Sequence, residues 1–365
     1  MQPEHPKTMC TAPDGPSLFA PPGVAPPAGS LHHQSLVMRA VGTPFVADLL
    51  LAVERQLDKA PRSAAVIRAW GGDPASSAVA MRINAALHAL ARRGDVPLLS
   101  ALYAGEHRRF DEAVALALVG HDDVLLEWLH RVPQTNEIGR AAALHAGLMV
   151  LARDHGHAFE LLEIGASAGL NLNIARYTYD LGGVPAGMTG SAVRIAPRWR
   201  GPPPPDAPVT VRAARGVDLD PLDVNDPAAC ERLASFIFAD QPDRQRRLDG
   251  ALTIARQHPP RVDKGDAASW LGVRLAEPMT DGRHRVVLHS MVMQYLGTQG
   301  RDAIEAMLAQ AGRAATDRRP LACIGFEWDR GRTRVELRLR TWPGGEDRVI
   351  AHCHPYGAWI EWQGA

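Results

Sequence analysis

Apolar positions change their spacing along the chain near residue 158. From about Leu31 to His157 they follow a helical period, and the strict alternation of a half-buried strand is nearly absent. Thr43-Pro44 reads as a cap followed by proline at the first helical position, opening a helix over Phe45–Leu57. Gly71-Gly-Asp-Pro74 breaks the pattern before a helix over Ala75–Arg93, and further helices are predicted over 107–119, 121–130 and 136–155. Ahead of this region, residues 1–30 are rich in Pro, Gly and Ser, the composition of a disordered tail.

After Ala158 short apolar runs alternate with helical stretches. Strands are predicted over Phe159–Ile164, Val209–Asp218, Arg261–Asp266, Arg285–Ser290 and Leu321–Trp328. Helices are predicted from about Pro227 to Gln257 and from Gln299 to Arg313, with a helix-like segment running to Tyr177. The stretch after it, including Pro202–Pro205, reads as a long irregular surface insert. Alternation over Arg334–Trp342 and Arg348–His354 about Gly344-Gly345 is a hairpin signature. The expected fold is therefore α/β: a mostly parallel, Rossmann-like sheet over 158–365 with an antiparallel C-terminal hairpin, behind a helical N-terminal domain or cap over 31–157.

Composition narrows the function classes. Of 365 residues 46% are apolar and 22% charged, enough to bury a sizeable core. Net charge is zero and no Lys/Arg run reaches five, which disfavours a nucleic-acid partner. Cys10, Cys230, Cys323 and Cys353 lack the spacing of a disulfide framework or a zinc site. His352 and His354 share a strand face but have no third ligand in the sequence, so no metal is expected. No basic-then-apolar leader and no apolar run of membrane-spanning length is present, so the expected location is the cytoplasm with no membrane contact.

The candidate chemistry centres on Glu163-Ile-Gly165-Ala-Ser167-Ala-Gly169. One parse is a strand, a small-residue turn and a helix start, similar to the acidic-x-Gly-x-Gly-x-Gly loop of S-adenosylmethionine-dependent methyltransferases, with Ser167 where the middle glycine usually stands. In that parse Gly165 and Gly169 permit close backbone approach, the helix start aims N–H groups at the ligand, and Glu163 reaches the cofactor's ammonium. The other parse is G-x-S-x-G, a nucleophile elbow with Ser167 as nucleophile and Asp266 or Glu327 with His352 or His354 as partners. No upstream His-Gly-Gly segment is present to supply its oxyanion hole.

Three later segments favour the first parse. Gly216-Val-Asp218-Leu-Asp220 resembles the second-strand end at which a carboxylate takes the ribose hydroxyls, with Asp218 the preferred ligand. Gly265-Asp266 resembles the third-strand end that meets adenine. His289-Ser290, leading to Gln294-Tyr295, resembles the segment on the acceptor side, with His289 and Tyr295 as candidate catalytic groups and Ser290 at the pocket rim. In Gln134-Thr-Asn136-Glu137 with Arg140, two roles stay open: a helix cap on Thr135 or Asn136, and a pocket rim formed by Asn136, Glu137 and Arg140. Trp328, Trp342, Trp359 and Trp362 are assigned to packing around the final hairpin.

Across roughly residues 35 to 362 the chain resembles a bacterial family called domain of unknown function 2332. The resemblance is carried by Pro133–Arg140, Leu162–Asn171, Gly216–Asp223, Asp240-Gln-Pro242, His289-Ser290, Gln294-Tyr295, His354-Pro355 and Trp359. It implies a methyltransferase-like fold and no established reaction. The expected function is transfer of a methyl group from S-adenosylmethionine to a small-molecule or protein acceptor, with serine hydrolysis through Ser167 and a non-catalytic nucleotide-binding module as alternatives. The sequence does not give the acceptor or the oligomeric state.

Overall fold

The computed structural model describes residues 30–71, 74 and 77–364. Residues 1–29 of the predicted tail, 72–73 of the predicted break and 75–76 at the start of the predicted Ala75–Arg93 helix lie outside them. Seven helices come first: α1 (Leu31–Ala40), α2 (Pro44–Gln56), α3 (Pro61–Arg68), α4 (Val79–Arg93), α5 (Pro97–Tyr103), α6 (Phe110–Gly120) and α7 (Asp122–His130). They pack around a core of their own, in which Leu49, Leu50, Ile83, Leu87 and Leu99 are fully buried. Phe236, Phe238 and Tyr356, from the other half of the chain, complete that core. Thr43 precedes α2 as expected, yet its hydroxyl donates back to the Met38 carbonyl at 2.7 Å instead of capping the helix.

A short 3-10 turn, Ile138–Arg140, leads into α8 (Ala141–His155), whose side chains are buried on all sides as far as Leu151. Such a helix carries no polar stripe because it lies between layers. Then β1 (Ala158–Ile164) enters the centre of a nine-stranded sheet. The following segment is a 3-10 helix, Leu170–Arg176, kinked at Asn173, rather than an α-helix.

The insert beyond it is irregular only in part: residues 201–210, with Pro202–Pro205, carry no helix or strand, but the stretch before them does. β2 (Thr178–Leu181), β3 (Val184–Gly187) and β4 (Arg194–Ile195) form a small sheet, and β5 (Arg198–Arg200) joins the edge of the large one. Tyr177, Tyr179, Leu181 and Ile195 anchor this segment in the main core. The chain continues through β6 (Val211–Asp218), α9 (Pro227–Ser235), α10 (Pro242–Gln257), β7 (Val262–Lys264), α11 (Ala267–Ala276), β8 (Arg283–Ser290), α12 (Gly297–Arg313), β9 (Leu321–Trp328), β10 (Val335–Trp342), β11 (Glu346–Cys353) and β12 (Trp359–Trp362). The single helix predicted over 227–257 is thus two, and α11 and β12 are additional elements.

The sheet order is β5-β12-β11-β10-β9-β8-β1-β6-β7. The strands from β7 to β9 are parallel, and β10, β11 and β12 form an antiparallel meander beyond them. α8 and α10 cover one face and α11 and α12 the other. Burial on both faces explains why β9 reads as a nearly continuous apolar run and β8 has Val286-Val-Leu288 at its centre, whereas β10 alternates. Along the parallel part the chain runs outward from β1 through β6 to β7, then returns past β1 to β8 and β9. The switch between β1 and β8 opens a crevice at the carboxyl ends of the strands, where ligands of open α/β sheets bind.

Candidate functional site

The loop after β1 is wound tightly. Gly165, Ser167 and Gly169 have φ of 68°, 55° and 71°, three left-handed residues at alternate positions. A Cβ on Gly165 would strike the Val292 side chain, and one on Gly169 would sit 2.7 Å from Pro260 and Val262, so neither position accepts a larger residue. Ser167 holds the same conformation at a steric cost that glycine avoids.

The amides of this loop are already taken. The Ser167 N–H donates to Asp218 Oδ2 at 2.8 Å, and those of Ala168 and Leu170 both donate to Asn136 Oδ1 at 3.2 Å. The Gly169 N–H donates to the Ala166 carbonyl at 2.7 Å. The expectation that a helix start aims free N–H groups at the ligand is therefore corrected: the following helix is 3-10, and Asn136 satisfies its first donors.

Around Glu163, by contrast, acceptors are in excess. Glu163 is 2% exposed at the end of β1, with Oε1 accepting from Asn171 Nδ2 at 2.9 Å. Its Oε2, the Asn171 Oδ1, the Gln134 Oε1 and the Ser167 Oγ are buried without a hydrogen-bond partner, and all four residues line one cavity. Burial raises the Glu163 carboxyl to about 8, the Asn171 bond opposing and the Asp218 charge adding to the rise. The group is thus mostly neutral at pH 7.

Asp218 ends β6 beside the loop and lines the cavity. Besides Ser167 it accepts from Gln134 Nε2 at 3.2 Å and the Asp220 N–H at 3.0 Å, so it fixes the loop as well as facing the ligand space. Asp266 lines the cavity and caps α11 through the Ser269 N–H at 2.8 Å.

The polar segment before α8 closes the site from the side. Its cap is Glu137, which accepts from the Gly139 N–H at 2.9 Å, and neither Thr135 nor Asn136 takes that role. The other oxygen of Glu137 pairs with Arg244 Nε at 2.5 Å, both side chains almost fully buried. Burial pushes the Glu137 carboxyl up, but Arg244, the Gly139 amide and neighbouring arginines hold it below its ordinary value. Arg140 donates to the Pro355 carbonyl at 2.8 Å and to Ser290 Oγ at 3.2 Å, tying this segment to β8. Asn136, Glu137, Arg140 and Ser290 all line the cavity.

His289 does not. Its ring lies against Gly325 in the sheet, and Nδ1 bonds Glu327 Oε1 at 2.9 Å. Burial opposes its charge, yet Cys323 and the Glu327 carboxylate raise its pKa. Glu327 also accepts from the Val292 N–H at 3.1 Å, so this pair shapes the turn after β8. His289, expected as a base, is thus placed in the sheet and not among the residues that line the cavity. Tyr295 does line the cavity, and burial raises its hydroxyl despite three nearby arginines, leaving it a donor at neutral pH.

The cavity holds about 1820 Å³ between the strand ends and the helical layer. Pockets for one small ligand run to ~300–1,000 Å³, so this space is large enough for two. Sequence reasoning missed Arg82, Gln134 and Asn171, which line it. A charged residue inside the apolar run Ala80-Met-Arg82-Ile was the available signal for Arg82. The hydrolase parse gains no geometry: Ser167 Oγ has no partner, and neither His352 nor His354 lines the cavity. Trp328 lines it too, whereas Trp342 and Trp362 are buried packing residues. Among the described residues no helix is long and apolar enough to cross a membrane.

Residues 28–362 match a protein family described as "Uncharacterized protein conserved in bacteria" (DUF2332). No curated protein and no solved structure matches the chain.

Proposed function

The chain belongs to the DUF2332 family of bacteria, which brings no reaction with it, and from the site itself we propose that the protein is an S-adenosylmethionine-dependent methyltransferase. The observation that carries this reading is the acceptor-rich wall around Glu163. The cavity's other orphans, Gln34 Nε2, Trp70 Nε1 and Arg232 Nε, are donors. Buried polar groups are almost always partnered, so the four orphans at Gln134, Glu163, Ser167 and Asn171 call for a ligand that brings donors to that end. The ammonium of an amino-acid moiety offers three, and a neutral Glu163 gains its charge when a cation arrives.

The occupied loop amides point the same way. A phosphate-bearing nucleotide needs free N–H groups to cradle its anions, and the Ser167, Ala168 and Leu170 amides are committed elsewhere. A nucleoside joined to sulfur carries no phosphate and requires only close approach to the loop. In this reading Glu163 and Asn171 hold the amino-acid end, Asp218 accepts from the ribose, and Asp266 lies on the base side. The bound cofactor supplies a methyl group on a cationic sulfur. The protein orients the two partners, excludes water, and keeps a proton on the Tyr295 hydroxyl.

Thermal-shift measurement of the full chain with S-adenosylmethionine, S-adenosylhomocysteine, NAD and ATP tests this. Stabilisation by mass action is expected for the first two and not for the phosphate-bearing ligands. No shift with either sulfur nucleoside sinks the reading.

A further inference from the structure

The cavity has a second wall, made by the helical layer and the turn after β8. There the charge is reversed. Arg82 and Arg140 are 9% and 7% exposed, and both line the cavity. A guanidinium this deeply buried is ordinarily matched by a carboxylate, because the uncompensated charge is costly.

Neither has one bonded to it among the described residues. Arg82 Nε donates to the Ser77 carbonyl at 2.9 Å, and Nη1 to the carbonyls of Leu129, at 2.9 Å, and of Arg131. Arg140 uses Nε on the Pro355 carbonyl and Nη1 on Ser290. In both the Nη2 group is left without a hydrogen-bond acceptor among the described residues. The nearby acids are spent: Glu137 pairs with Arg244, and Glu327 with His289. Around Arg140 the cations Arg140, Arg244 and protonated His289 therefore exceed Glu137 and Glu327 by one, before Arg82 is added. Both arginines act electrostatically on the Tyr295 hydroxyl, which makes no hydrogen bond to a described residue and opens to the same cavity. The Trp70 ring, 5.5 Å from the Arg82 guanidinium, adds an apolar floor.

We propose that this wall is an oxyanion subsite: Arg82 and Arg140, with the Tyr295 hydroxyl, grip a carboxylate or a phosphate monoester of a small-molecule ligand. That the ligand is the methyl acceptor rests on the methyltransferase reading; the subsite itself does not. The subsite shares one cavity with Glu163, so an anionic partner would occupy the same space as the cofactor's cationic end.

The test is calorimetric titration of the full-length protein with benzoate, its neutral isostere benzamide, and inorganic phosphate, alone and with S-adenosylhomocysteine. Benzoate or phosphate is expected to bind saturably and benzamide not to bind; the tighter of the two anions identifies the group recognised. Arg82→Gln is expected to weaken that anion about tenfold or more while leaving S-adenosylhomocysteine affinity within about twofold. Should Arg82→Gln fail to fold, Tyr295→Phe is expected to weaken the anion about fivefold. Equal binding of benzoate and benzamide, no binding of either anion up to about 20 mM, or an anion affinity untouched by the substitution overturns the subsite. Anion binding without any response to S-adenosylhomocysteine would instead overturn the methyltransferase reading and leave the subsite standing.

Discussion

Glu163 is the residue whose chemistry is most altered by its setting. Its folded pKa is raised from an ordinary 4.5 to about 8, first by burial. The sign of the linkage follows. Between those values the native state holds a proton that the unfolded chain has lost, so this group makes stability fall as pH rises through that window. Below it Glu163 costs nothing, and above it the full penalty is present. Glu163→Gln stays neutral throughout. The unfolding free energy of the variant should therefore pull ahead of the wild type from pH 5 to pH 9, by a margin on the order of a few kcal/mol at the upper end, and its melting temperature should rise with it. Buried histidines such as His145, lowered to about 3 by burial, titrate alike in both proteins and cancel in the difference. Saturating S-adenosylhomocysteine should shrink the gap, because the wild-type carboxylate then has its counter-charge. A gap independent of pH would show that Glu163 is not neutral in the folded protein.

Among the elements, the segment before α8 does the most to hold the site, through Asn136. One side-chain oxygen takes both the Ala168 and Leu170 amides, the first donors of the 3-10 helix. Asn136→Ala leaves two buried N–H groups unpaired, which should cost roughly 2–4 kcal/mol in denaturant unfolding. Amide exchange over 166–170 should accelerate with it, and unchanged exchange would count against this role. The sequence made the loop itself readable: an apolar strand ending in an acid, then small residues at alternate positions. β9 was readable for a related reason, since a strand buried on both faces leaves a continuous apolar run, and β8 showed the same in Val286-Val-Leu288 alone. α11 escaped because only Ala267 and Leu271 of it are buried, too few to set a period. The small sheet after Tyr177 escaped because its strands are at most four residues long and are broken by Gly182-Gly183. Arg82 left one mark in the sequence, a charge inside an apolar helical run, but that it lines the cavity depends on the tertiary packing of α4.

For the whole molecule the question is whether the helical layer folds as a separate unit, as the change of pattern at residue 158 suggests. The packing argues otherwise. The core of that layer is completed by Phe236 and Phe238, which follow α9, and by Tyr356, between β11 and β12. The Arg244 guanidinium lies 4.4 Å from the Tyr356 ring centre while bonding Glu137. Arg92 on α4 pairs with Glu231 on α9 at 2.7 Å, about a third exposed and worth little, but Phe236, Phe238 and Tyr356 are buried. Removing either half would expose these rings and break a buried ion pair, a loss of about 3–5 kcal/mol from the pair alone. Unfolding of the full chain should therefore be one calorimetric transition, with calorimetric and van't Hoff enthalpies in agreement. Glu137→Gln, which leaves Arg244 buried without its carboxylate, should lower that single transition rather than split off a helical one. Two resolved peaks in the wild type would show that the layers are separately stable and that the cavity between them is a hinge instead of a fixed crevice.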